Sequence, residues 1–550
     1  MPVITAKNSN GDFRSVAAAS GGIGRYDALS LALFLAVFAW LLASFGDYGT
    51  TWDEDYHFWY GFKVLAYYRS FFRDTTALTS PPISYYGAIF DATTALLAPR
   101  LPFGYYTTRH LLNALVGLVG VVGCWKLART LGGPRVGLWA ALLLLITPNF
   151  YGQMFNNPKD VPFAAGYVWS LYYLVRLIPA LPRPQRADIL KLGLAIGLTL
   201  GVRVGGLLCL CYLGLLLFAD AALRVQRDKN PFAAARDLVR GIWAIVIPVL
   251  ALSYAIMLLA WPWAQLNPVW RPIAALIQFD HHDFPYPTLF DGAYIPAPDL
   301  PRIYLPTFLL INLPELFLLL LCGGLFWSIA KIWRERPAPT ILLAPGLVVF
   351  AGLFPIAYAV AIHATLFDGM RHFLFVVPPL ACCAALAFEL LISKLKPLSP
   401  QFALAMTALA VYLGYHLSVM AALHPDEYVY YNALVGGVPG AAGRFNLDYW
   451  ANSYREATHR LVAWLAERDG SRFAHHRYRI AVCGPPGSVM PYLPANLIYE
   501  ADRAKADFYI AFTKDRCDRS IAGRPVVEVA RLGTRLSVVL DLHPLALGQK

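Results

Sequence analysis

The sequence predicts a polytopic α-helical membrane protein, with about eleven transmembrane helices, interfacial helices in the first outer loop and a small C-terminal α/β domain on the outer face. Three observations carry this. Of 550 residues, 58% are hydrophobic and only 15% charged, with mean hydropathy +0.50, far too apolar for a soluble globular chain. Apolar stretches near the roughly 20 residues needed to cross a bilayer recur as far as residue 423. Beyond that point the chain becomes distinctly more polar. The division is therefore a membrane domain over 1–423 and an extracytoplasmic α/β domain over 424–550.

The expected spans lie near 28–46, 107–127, 136–150, 161–181, 190–204, 206–220, 241–263, 304–330, 340–363, 373–393 and 401–423. Several fall short of a full crossing; 190–204 and 206–220 are read as two spans, with one long tilted or broken helix as the alternative. Met1 to Gly24 is polar and the apolar run after it reaches span length, which is not the pattern of a cleavable signal. With the N-terminus inside, the cytoplasmic segments collect Lys126, Arg129, Arg135, Arg183, Arg186, Arg224, Arg227 and many further basic residues. The opposite short loops hold only Lys159, Arg203, Arg271, Arg302 and Arg371. This positive-inside bias fixes the orientation. It also accounts for the net charge of +12 through topology and contact with anionic lipid, with no nucleic-acid partner.

The first outer loop, 47–106, is long. Its segments 56–72 and 83–97 are aromatic or apolar but too short to span, as expected of helices lying in the interface. Past residue 424, a helix over 452–469 is followed by strand-like runs at 478–483, 506–512, 526–531 and 535–540. Six cysteines fall inside apolar spans. Cys483 and Cys517 lie outside them, where either a disulfide or two free thiols fit the sequence.

The chemistry concentrates at two helix mouths. One reads Trp52-Asp53-Glu54-Asp55-Tyr56-His57-Phe58, the other Phe155-Asn156-Asn157-Pro158-Lys159-Asp160. Carboxylates at membrane-helix mouths are costly and mark functional sites; on the same side, the two loops form one site. Their bland reading is helix capping, or pairing with Lys159 and Arg109. An outer first loop with Asp-Glu then His-Phe, interfacial helices after it and a second acidic loop resemble the C-type glycosyltransferases, and more narrowly the protein O-mannosyltransferase and aminoarabinose-transferase superfamily. The resemblance implies inverting transfer of a single sugar from a polyprenyl-phosphate carrier to a lipid, polysaccharide or protein acceptor. The setting would be the outer face of a bacterial inner membrane.

It implies Asp53 as the catalytic first-loop acid. As general base, Asp53 would take the acceptor proton; Glu54 would assist it and Asp160 would complete the site. Positive charge must hold the departing phosphate. Arg203 in the glycine-rich 200–206 segment, Arg371, His372 and Lys159 are the candidates. A divalent Mg or Mn ion on Asp53 and Asp160 is the expected cofactor, if any. The loop Asp280-His281-His282-Asp283 looks metal-like, but adjacent histidines diverge on regular elements. Two other classes compete. A transporter would place charges at mid-membrane and show repeated halves, and a lipid-linked glycan ligase or polymerase would rely on Arg or His.

Overall fold

The computed structural model describes residues 24–280, 287–396 and 399–543; His281, His282 and Asp283 lie outside them. Helix α1 (Arg25–Ser44) leads into the first loop, where α2 (Trp52–Arg69) and α3 (Ile89–Leu97) lie beside one another. Helices α2 and α3 overlap the 56–72 and 83–97 segments read from sequence as too short to span. Helix α2 starts where it does because Thr51 and Glu54 form a reciprocal capping box. Helix α4 (Tyr105–Gly132) ends at Gly133, whose φ of 92° suits glycine. Pro134 then opens α5 (Pro134–Leu145). Helix α6 (Pro148–Asn156) continues at a 71° bend, enforced by Pro148, and delivers the second loop to α7 (Asp160–Leu177).

The 190–220 segment forms two helices, α8 (Arg186–Leu200) and α9 (Leu207–Asp228), separated by Gly201 to Gly206. Arg203, in the break, bonds Asp160 at the start of α7. Arg224, near the end of α9, donates to the Leu181 carbonyl beyond the other end of α7. The two helices therefore run in opposite directions. A 30-residue span, Pro231–Ala260, follows as α10. The single run expected over 304–330 is broken at Leu313-Pro314 into α11 (Tyr304–Asn312) and α12 (Glu315–Glu335), because proline cannot continue the helix. Then come α13 (Pro339–Ile362), α14 (Arg371–Ile392) and α15 (Pro400–Leu423). Among the described residues nine helices are long and apolar enough to cross a membrane, or ten when α5 and α6 count as one bent span.

Strands β1 (Pro287–Phe290) and β2 (Ala293–Pro296) form an antiparallel hairpin that sequence reading did not single out. The C-terminal domain carries α16 (Tyr454–Asp469) on a five-stranded sheet. Its strands are β3 (Tyr478–Val482), β4 (Leu497–Tyr499), β5 (Phe508–Phe512), β6 (Arg524–Arg531) and β7 (Thr534–Asp541), in the order β4-β3-β5-β7-β6. Strands β4, β3 and β5 are parallel; β7 and β6 complete the sheet antiparallel. Most apolar side chains between Tyr428 and Trp450 are buried with the membrane helices, Leu434 being exposed, and a second apolar core begins at Ala451. Cys483 and Cys517 form a disulfide with Cα atoms 6.2 Å apart, tying the end of β3 to the loop after β5.

Candidate active site

The two acid loops meet at one end of the helix bundle. Asp53, in the first turn of α2, accepts from Lys159 Nζ at 2.5 Å and Arg371 Nη1 at 3.0 Å. Asp160, at the first position of α7, is buried and bonded to Arg203. Its other oxygen accepts from Asn157 at 2.9 Å and lies 3.9 Å from Arg371. Two loops and two further helix ends thus supply two carboxylates and three cations to one cluster. Tyr86 carries the Lys159 and Arg203 charges over its ring at 5.4 and 5.5 Å. Trp450 does the same for Arg371 at 4.8 Å.

Burial alone would raise the Asp53 carboxyl. The Lys159 and Arg371 charges outweigh it and hold the group far below the usual carboxylate range. A carboxylate so gripped is a poor base until its cations have something else to bind.

Glu54 does not join the cluster. It is buried, caps Thr51 and lies 3.2 Å from His110, so its job is to start α2 and aim Asp53. The Thr51-x-x-Glu54 spacing carried this signal in the sequence. Arg109 pairs with Asp91, which also holds His57, and so clips α2, α3 and α4 together. His372 packs against Phe367 and joins none of the ion pairs among the described residues.

Sequence reading missed three members, Asp368, Lys514 and Asn452. Asp368 accepts from Arg371 at 3.1 Å and from Lys514 of the C-terminal domain at 3.0 Å. Asn452 Oδ1 accepts from Gly49 and Asn156, each at 2.8 Å, and so ties both loops to the C-terminal domain. Gly49 is required there: a Cβ would meet the Asn452 carbonyl at 2.1 Å. A metal suits this donor set poorly. Both carboxylates are engaged by cations, and no group of three or more His, Cys, Asp or Glu poised for a metal occurs among the described residues. Beside the cluster, a cavity of about 710 Å³ opens between α2, the β1–β2 hairpin and the C-terminal domain. It is lined by Trp52, Tyr56, Tyr294, Phe512, Arg503 and Arg516.

Residues 107–261 match the family model for dolichyl-phosphate-mannose-protein mannosyltransferase. No curated protein is significantly similar in sequence. Two solved structures align over most of the chain. One is ArnT from Cupriavidus metallidurans in the apo state, with 15% identity, 93% of this chain and 97% of that one covered, and a TM-score of 0.49. The other is the Archaeoglobus fulgidus oligosaccharyltransferase in the apo form, with 13% identity, 89% and 66% covered, and a TM-score of 0.45. The family match spans the helices that carry Lys159, Asp160 and Arg203, and the resemblance of this chain to the C-type glycosyltransferases, protein O-mannosyltransferase-like, is borne out.

Proposed function

We propose that this protein transfers a single sugar, with inversion, from a polyprenyl-phosphate carrier to an acceptor hydroxyl at the outer face of a bacterial inner membrane. The observation that carries the reading is the convergence of Lys159, Arg203 and Arg371 on Asp53 and Asp160 at one mouth of the bundle. Three clustered cations suit a phosphate leaving group, and a carboxylate among them suits proton removal. ArnT from Cupriavidus metallidurans has also been solved bound to undecaprenyl phosphate, and that lipid serves as the probe in the tests below.

The reaction follows from these roles. The carrier phosphate draws Lys159, Arg203 and Arg371 to its oxygens, and Asp53 loses its counter-charges and gains basicity. The acceptor hydroxyl enters by the cavity beside Trp52. Its oxygen attacks the anomeric carbon opposite the phosphate and its proton passes to Asp53. The bond from the anomeric carbon to the phosphate oxygen breaks, the electron pair leaves with the phosphate, and the three cations hold the new charge. The acceptor is a lipid, polysaccharide or protein hydroxyl. Mass spectrometry of envelope lipids and glycans from a deletion strain tests this. The expected result is loss of one sugar from one component. An unchanged envelope, or altered polymer length instead of a missing residue, contradicts it.

A further inference from the structure

We infer that Lys514 and Asp368 form a positioning pair through which the C-terminal domain sets how firmly Arg371 holds the carrier phosphate. The inference rests on the proposed phosphate-binding role of Arg371. Asp368 is shared: one oxygen takes Lys514 Nζ at 3.0 Å and the other takes Arg371 Nη2 at 3.1 Å. Arg371 spends its other terminal nitrogen on Asp53 at 3.0 Å. All three of Lys514, Asp368 and Arg371 are buried, so their charges are weakly screened.

Lys514 is also placed with care. It follows β5 at the start of a turn in which Asp515 and Arg516 both have positive φ, and the disulfide at Cys517 fastens that turn to β3. The Lys514 charge lies 5.6 Å from the centre of the Trp52 ring, next in sequence to Asp53. One basic side chain therefore reaches from the C-terminal sheet into the membrane-domain cluster.

The sharing has opposite consequences for its two members. Without Lys514, Asp368 keeps its full charge for Arg371 and draws the guanidinium away from an incoming phosphate. Without the Asp368 charge, Arg371 is released to the phosphate, and Asp368 no longer offsets the positive charge of Lys514 nearby. Binding of undecaprenyl phosphate to the full chain in nanodiscs reads this directly, without an acceptor. Lys514→Met should weaken binding and Asp368→Asn should tighten it, each by roughly fivefold or more, the scale of one unit charge at short, partly screened range. The double variant should return to within about threefold of the parent, because it removes one positive and one negative charge and leaves the net charge beside Arg371 unchanged.

If the unsubstituted protein binds undecaprenyl phosphate but both single variants weaken it alike, or neither moves it, Lys514 and Asp368 are merely structural and the inference fails. If the unsubstituted protein does not bind it at all, the phosphate-binding role of the cluster fails first and takes the inference with it. Thermal unfolding of each variant separates misfolding from the charge effect, since a misfolded Asp368→Asn protein cannot bind more tightly than its parent.

Discussion

Replacing Arg371 by leucine separates what the cluster does for stability from what it does for binding. The side chain is 3% exposed and touches Asp53, Asp368 and Asp160. Breaking a buried ion pair usually costs about 3–5 kcal/mol because a charge is left uncompensated. Here each orphaned anion keeps a partner: Lys159 for Asp53, Lys514 for Asp368 and Arg203 for Asp160. The loss of stability should therefore fall below that range, at about 1–3 kcal/mol. Binding has no such reserve if Arg371 grips the phosphate. One charge-assisted contact is worth about 1.5–3 kcal/mol, so the affinity for undecaprenyl phosphate should drop by about ten- to a hundredfold. Arg371→Lys should recover part of this, since it restores the charge but not the planar fork. The assay is equilibrium binding in nanodiscs beside thermal unfolding. A folded Arg371→Leu protein that binds within twofold of the parent would refute the phosphate role.

Three further outcomes follow from the same geometry. Burial pushes the His424 imidazole down, but Glu427 and Asp47 outweigh it and raise it to about 9. Its contribution is thus fully present below about pH 6.5 and is lost as pH rises through 9; unfolding from pH 6 to 10 should show that loss, and His424→Gln should flatten it. Removing the Cys483–Cys517 bond frees a loop with a sequence separation of 34. That should destabilise the C-terminal domain by about 3–4 kcal/mol on the loop-entropy estimate, measured as unfolding with and without reductant; an unchanged transition would mean that the bond constrains nothing. Transfer activity should survive EDTA within about twofold, since Lys159, Arg203 and Arg371 already supply positive charge for the departing phosphate; a loss of more than about tenfold restored by Mg or Mn would bring back the metal expected at Asp53 and Asp160.

Much of this was legible because membrane-spanning helices announce themselves by apolar length and the first loop by aromatics too short to span. Asp53, Lys159 and Asp160 stood out because charge at a helix mouth is expensive. The parts that stayed hidden depend on contacts distant in sequence. Lys514 lies 146 residues from the Asp368 it bonds, and nothing near either residue announces the other. Asn452 bonds Gly49 across 403 residues. Two further features are local. Thr51-x-x-Glu54 is a capping-box spacing that explains Glu54 without chemistry, and Leu313-Pro314 is a break inside an otherwise even apolar run. The opposed directions of α8 and α9 needed Arg203 and Arg224 to find their partners at opposite ends of α7; hydropathy through the glycines of 201–206 does not distinguish one helix from two.

In the proposed reaction Asp53, freed from Lys159 and Arg371 by the carrier phosphate, takes the acceptor proton. Its most direct test is the rate of sugar transfer from a polyprenyl-phosphate donor by purified Asp53→Asn protein, with folding checked by thermal unfolding and donor binding by titration. The expected result is intact folding, retained binding of undecaprenyl phosphate and transfer reduced by about 10²–10⁴-fold, the usual contribution of a general base. Transfer within a few-fold of the parent at full donor occupancy would contradict it.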